Sequence, residues 1–138
     1  HSAGGHLCGM VAGTDWAGEY GLPADVVKGA VAISGLYDIR PLKQAFTNEW
    51  LQLGDEEAER NSPALNLPKH PTPMILTYGG DEPPGFAHQT ALYKDALEKA
   101  GNPVEELDMP GFDHFAVCNE IMKDESPLTR AVLGQMGL

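Results

Sequence analysis

His1-Ser2-Ala3-Gly4-Gly5-His6-Leu7 sets a serine ahead of three small residues and runs straight into an apolar helical pattern. That combination reads as a nucleophile elbow, a sharp strand-to-helix turn that lifts a serine oxygen clear of the backbone. Small residues are needed because Cβ atoms would collide in so tight a turn and where the helix packs on a strand. The full pattern, G-x-S-x-G, puts a glycine ahead of His1. The competing reading of Ser2 is an ordinary helix N-cap before Ala3, since serine is favoured at that position.

Downstream, Leu7, Met10 and Val11 mark one face of a short helix ending near Gly13. Thr14 to Val27 is a loop-rich crossover with Gly18, Gly21 and Pro23. Val27 to Ser34 is almost continuously apolar and closes on Gly35, which suits a strand buried on both faces of a parallel sheet. Pro41 starts a predicted helix running through Trp50. Asp55 to Glu59 reads as an exposed acidic turn or short helix. Asn61 to Pro73, with prolines at 63, 68, 71 and 73 and no periodicity, reads as a surface connection. Pro73 to Tyr78 is the second strand, ending at Gly79-Gly80. Phe86, Thr90, Tyr93, Leu97 and Ala100 then recur at helical spacing, with Lys94 and Glu98 paired outward at i, i+4. Gly101-Asn102-Pro103 stops that helix. Val104 to Met109 alternates as a third strand nearer an edge, and Pro110 to His114 is a loop. Two helices follow, at about 115–123 and 127–136, the second with Ser126 as N-cap and Pro127 at its first position.

Strands alternating with helices predict an α/β fold: a parallel sheet of about three strands flanked by helices, with function at the strands' carboxyl ends. The length, 138 residues, fits one domain over 1–138. Three groups fall at those carboxyl ends: Ser2, then Asp81 or Glu82, then His114. A serine hydroxyl is a poor nucleophile at neutral pH and needs a base within reach, with an acid to orient that base. The chain order serine, acid, histidine is the α/β-hydrolase order. Each residue also has a plainer reading. His114 could be a surface loop histidine, and Glu82 a first-turn acid complementing a helix dipole. His6 reads as a structural or pocket residue, Cys8 as packing on the elbow helix. Asp38 and Arg40 read as a structural pair, with each other or with the following helix. Gly79-Gly80 lacks the Lys-Ser/Thr that a phosphate loop requires.

On these residues the chain resembles the C-terminal half of an α/β-hydrolase of the esterase/lipase type, starting at the elbow. Within that group it is most similar to the kynurenine formamidase (arylformamidase)-like branch. The likeness is carried by His1-Ser2-Ala3-Gly4-Gly5-His6, by Ser34-Gly35-Leu36-Tyr37-Asp38-Ile39-Arg40-Pro41-Leu42, and by Asn48-Glu49 with Ser62-Pro63. Glu82 with Phe86 and Gln89, Asp113-His114-Phe115, and Ser126-Pro127-Leu128-Thr129 complete it. The resemblance implies a catalytic set of Ser2, Glu82 and His114. An acid four residues before a Phe-x-x-Gln selects Glu82, and Asp81 stands as the alternative. It also implies that the Ala3 N–H serves an oxyanion hole whose second donor comes from a His-Gly-Gly-type loop earlier in such proteins. The implied activity is a serine hydrolase cleaving small esters or aryl formamides, N-formylkynurenine among them, through an acyl-enzyme without a cofactor. A general short-chain carboxylesterase is the alternative enzyme. The alternative outside enzymes is an inactive fragment or half-domain that works only with a partner chain, either a second copy or a missing N-terminal half.

Composition narrows the partners. Nine Lys and Arg against 20 Asp and Glu give a net charge of −11, which argues against nucleic acid and anionic membrane surfaces. No apolar run approaches the roughly 18 residues of a spanning helix. The two cysteines, Cys8 and Cys118, have no CxxC spacing and read as free thiols in a reducing cytoplasm. The histidines at 1, 6, 70, 88 and 114 show no metal-ligand spacing.

Overall fold

The computed structural model describes residues 1–138. Three strands, β1 (Ala30–Ile33), β2 (Met74–Gly79) and β3 (Val104–Met109), lie side by side in that order, all parallel. Ala30 stands opposite Met74, and Met74 opposite Val104. The central β2 is buried at every residue but Tyr78, as its run of apolar side chains requires when both faces are covered. Glu105, Glu106 and Asp108 keep β3 at an edge, half in water.

Alternation along the strands divides the core in two. Ala32, Met74 and Leu76 point to one face, where they meet Ala12 of α1 (Ala3–Gly13) and Tyr93 and Leu97 of α5 (Pro84–Lys99). Tyr37 joins this cluster, its ring stacked on Tyr93 with centroids 4.4 Å apart. Burial pushes both phenols above their ordinary pKa, so they remain neutral packing groups. On the other face Ile33 and Met109 pack with Val117 of α6 (His114–Asn119) and Leu128 of α7 (Pro127–Met136). The last helix follows the sequence reading, with the Ser126 hydroxyl accepting from the Leu128 N–H at 3.2 Å.

Several expectations are corrected. The first strand spans only Ala30–Ile33, not Val27 to Ser34. Its ladder begins where the Ala30 N–H reaches the Pro73 carbonyl, and Pro71 and Pro73, lacking N–H groups, cannot extend it toward Val27. The helix expected from Pro41 through Trp50 is two pieces, a 3-10 turn over Arg40–Gln44 and a short α3 (Asn48–Leu51), separated by an extended Ala45. The buried face of α1 is Gly5, Gly9 and Ala12, while Leu7 is 59% exposed. Close approach decides this. A Cβ at Gly5 would lie 2.6 Å from the Ile33 carbonyl oxygen, and one at Gly9 2.8 Å from the Pro63 ring. The crossover before β1 contains a short α2 (Trp16–Tyr20). Lys94 pairs at 3.0 Å with Glu106 on β3 instead of Glu98. The acidic 55–59 segment is, as one of its readings had it, a short and largely exposed helix, α4 (Asp55–Arg60), with only Ala58 buried.

The segment read as a surface connection is partly interior. Ser62 and Pro63 are fully buried. The Ser62 hydroxyl donates to the Ala58 carbonyl at 2.6 Å and accepts from the Ile39 N–H at 2.9 Å. Ser62→Ala therefore leaves two backbone groups unpaired in the interior. The expected cost is about 1–3 kcal/mol, read as a lowered urea midpoint at unchanged m-value.

Candidate active site

The turn at Ser2 is backbone-driven. Its N–H donates to the Ile33 carbonyl at 2.8 Å, at the end of β1, and its carbonyl starts α1 by accepting from His6. The residue sits at φ 55°, ψ −120°, a conformation that costs an L-residue of order 1–3 kcal/mol. The hydroxyl makes no capping bond to α1. The N-cap reading of the side chain thus fails, and the oxygen is directed elsewhere.

It faces His114. The His114 Nε2 lies 3.1 Å from Ser2 Oγ, and its Nδ1 lies 2.6 Å from Glu82 Oε2. The order of the hydrogen-bonded series is hydroxyl, imidazole, carboxylate. Asp81, the other carboxylate at this strand end, is exposed, and its backbone N–H is held by the Phe112 carbonyl. Only Glu82 turns inward, with its side chain fully buried. Its second oxygen, Oε1, accepts from the Gly79 N–H at 2.7 Å and from the Ser34 hydroxyl at 2.5 Å.

Neighbouring strand exits set the spacing of acid and imidazole. The Gly80 N–H donates to Met109 and the Asp81 N–H to Phe112, which stitches the turn after β2 to the loop after β3. The Asp113 carboxylate then caps α6 by accepting from Phe115 and Ala116 N–H groups, fixing His114 at the first helical position. Rings close on the imidazole: His1 at 4.4 Å, Phe86 at 4.7 Å and Phe115 edge-on at 5.5 Å. The His114 side chain is still 21% exposed.

The Ala3 N–H heads α1, where no intrahelical partner exists and the helix dipole favours negative charge. A cavity of about 300 Å³ opens against Ser2 and Ala3. Leu36, Ile39, Leu42, Leu51, Leu53 and Phe86 form its walls, and His6 borders it from the elbow. His6 is held structurally through Nε2 to the Asn61 carbonyl at 2.8 Å. Two amides hold the loops that supply the walls. Gln89 accepts from the Tyr37 and Asp38 N–H groups and donates back to the Asp38 carbonyl. Asn48 accepts from the Leu53 N–H and donates to Lys43. Asp38 pairs with Arg40 through both carboxylate oxygens, and the guanidinium holds that carboxyl below its usual range. A larger hollow of about 470 Å³ lies at the opposite strand ends, beside Met74 and Val104, away from these groups.

Ser34 and several wall residues stood in the sequence only as points of resemblance, with no role attached. Ser34-Gly35 closes an apolar strand at its carboxyl end, and that position was the available signal. Apart from Phe86 on α5, the wall residues are scattered over 36–53 in loops and short helical turns, where no periodicity announces them. No group of three or more His, Cys, Asp or Glu side chains is arranged to hold a metal ion. No helix is long and apolar enough to cross a membrane.

No family model matches the chain. It is 34% identical over 142 residues to a kynurenine formamidase of Danio rerio, an alignment covering 99% of this chain and 48% of that protein. Among solved structures, a candidate thioesterase of Silicibacter sp. TM1040 superposes with a TM-score of 0.80 at 26% identity, over 93% of this chain and 46% of its own. A propionate-bound esterase of Thermogutta terrifontis superposes with a TM-score of 0.65 at 20% identity, over 99% and 54%. The chain spans about half the length of the curated relatives it matches. It carries the α/β-hydrolase fold in part, as a three-stranded parallel sheet flanked by helices, and it is similar to kynurenine formamidases along nearly its whole length.

Proposed function

We propose that the protein is a serine hydrolase that cleaves small esters or aryl formamides through an acyl-enzyme. The observation that carries this is the unbroken hydrogen-bonded series from Ser2 through His114 to Glu82 at the mouth of an apolar cavity. In this reading Ser2 Oγ attacks the carbonyl carbon and its proton passes to His114 Nε2. The developing oxyanion is met by the Ala3 N–H. His114 then protonates the leaving amine or alcohol, and water repeats the sequence in reverse to free the acid. Glu82 holds the Nδ1–H tautomer and balances the imidazolium. No step requires a cofactor.

The relatives named kynurenine formamidase support an aryl formamide as substrate. A formyl group needs almost no room, so the cavity would hold the aryl side of such a molecule. The same cavity favours a second reading, a short-chain carboxylesterase, in which it holds the acyl chain instead. Cys8 and Cys118 are unpaired, in keeping with a proposed place in the reducing cytoplasm.

A fluorophosphonate probe tests the reading. Stoichiometric labelling mapped to Ser2 by peptide mass, and abolished in Ser2→Ala, is the expected result. A protein that stays unlabelled while hydrolysing p-nitrophenyl acetate would refute a serine nucleophile. N-formylkynurenine and p-nitrophenyl butyrate, compared by kcat/KM, then separate the two substrate readings.

A further inference from the structure

Only three residues other than glycine have positive φ: Ser2, Ser34 and Gln52. Two of them are serines, and these stand at the two ends of one hydrogen-bonded series. Ser34 has φ 51° and is fully buried just past β1, with its N–H donated to the Thr77 carbonyl at 2.8 Å. Glycine would take that backbone without strain. A serine there carries a steric cost, and the one thing it adds is a hydroxyl. That hydroxyl donates to Glu82 Oε1 at 2.5 Å, on the carboxylate whose other oxygen holds His114.

We infer that Ser34 is a positioning residue for the reaction, acting through Glu82. The inference rests on the serine-hydrolase reading and extends its series to a fourth member. Glu82 Oε1 has two donors, the Gly79 N–H and the Ser34 O–H. One donor fixes a point and leaves the carboxylate free to pivot about it. Two donors fix its plane, and hence the direction in which Oε2 meets His114 Nδ1. They also stabilise the charge of a carboxylate that has no solvent of its own.

Ser34→Gly and Ser34→Ala separate the hydroxyl from the backbone. The glycine variant relieves φ 51°, the alanine variant keeps the strain, and both lose the O–H. Each is expected to lower kcat for p-nitrophenyl acetate about 10- to 100-fold, the effect of one hydrogen bond to a charged group, with KM within about twofold. In both, the low-field proton resonance of His114 Nδ1–H, assigned by its loss in His114→Ala, is expected to move upfield and broaden. Ser34→Gly is expected to melt no lower than Ser34→Ala.

Wild-type kcat and an unmoved resonance in Ser34→Gly would overturn the inference. So would an effect confined to Ser34→Ala, which would make backbone strain the cause. Retention of the wild-type rate in His114→Ala would instead sink the serine-hydrolase reading. The resonance would still report whether Ser34 orients Glu82.

Discussion

Glu82→Gln is expected to lower kcat about 10⁴-fold, the scale seen when a catalytic carboxylate becomes an amide, while Asp81→Asn stays within about twofold of wild type. The cause is a matter of donors. The Gly79 N–H points at Oε1 and cannot reverse. A glutamine must therefore place its carbonyl oxygen there and turn its NH₂ toward His114 Nδ1. An imidazole that accepts at Nδ1 carries its proton on Nε2, and a protonated Nε2 cannot take the proton of Ser2. Geometry is kept while the tautomer is wrong. Loss of the negative charge compounds this by leaving any imidazolium uncompensated. Steady-state kinetics on p-nitrophenyl acetate, with a melting curve for each variant to show that the fold persists, provide the check. An equal loss in Asp81→Asn would move the acid to the other carboxylate.

Gly79→Ala is expected to damage both stability and turnover. A Cβ on residue 79 would overlap the Phe112 carbonyl oxygen and crowd that of Asp113. Both neighbours are backbone, so neither can swing aside as a side chain would. The loop after β3 must move, and with it the Asp81 N–H bond to Phe112 and the start of α6. Overpacking of this kind costs about 1–3 kcal/mol or more. A shift of about 1 Å between His114 and Glu82 would cost on the order of 10² in rate. Chemical denaturation and kcat measured on one preparation test the prediction. Gly85→Ala is the control, since a Cβ there meets nothing within 4 Å.

The strands and long helices were legible because their cores repeat: β2 opens on the buried run Met74-Ile75-Leu76, and Thr90, Tyr93 and Leu97 return at helical spacing. That Ser2, Glu82 and His114 lie within hydrogen-bond reach of one another was foreseeable because strand ends are where such groups collect. What was hidden depended on distance between segments. The small face of α1 is buried because the sheet lies too near for Leu7, a fact about spacing that no periodicity carries. The break at Ala45 is spanned by local bonds from the Asn48 amide to the backbone of Lys43 and Leu53, which no apolar spacing announces. Ser62 looked like a loop residue because one of its partners, Ile39, is distant in sequence, while the other is Ala58 on the preceding helix. Gln89 was noticed only as a point of resemblance. Its task, holding the backbone at residues 37 and 38, emerges when α5 is laid beside that loop.

The partial exposure of the His114 side chain bears on the second half of the proposed reaction. With an apolar group seated among the leucines, the cavity side of the ester carbon is dry. In the proposed reaction the attacking water would reach the ester carbon beside the part-exposed imidazole, once the leaving group has vacated that side. To react, that water must come within reach of Nε2, the atom that has to strip its proton and that faces Ser2 Oγ at 3.1 Å. Departure of one product would thus clear the way for the reagent that releases the other.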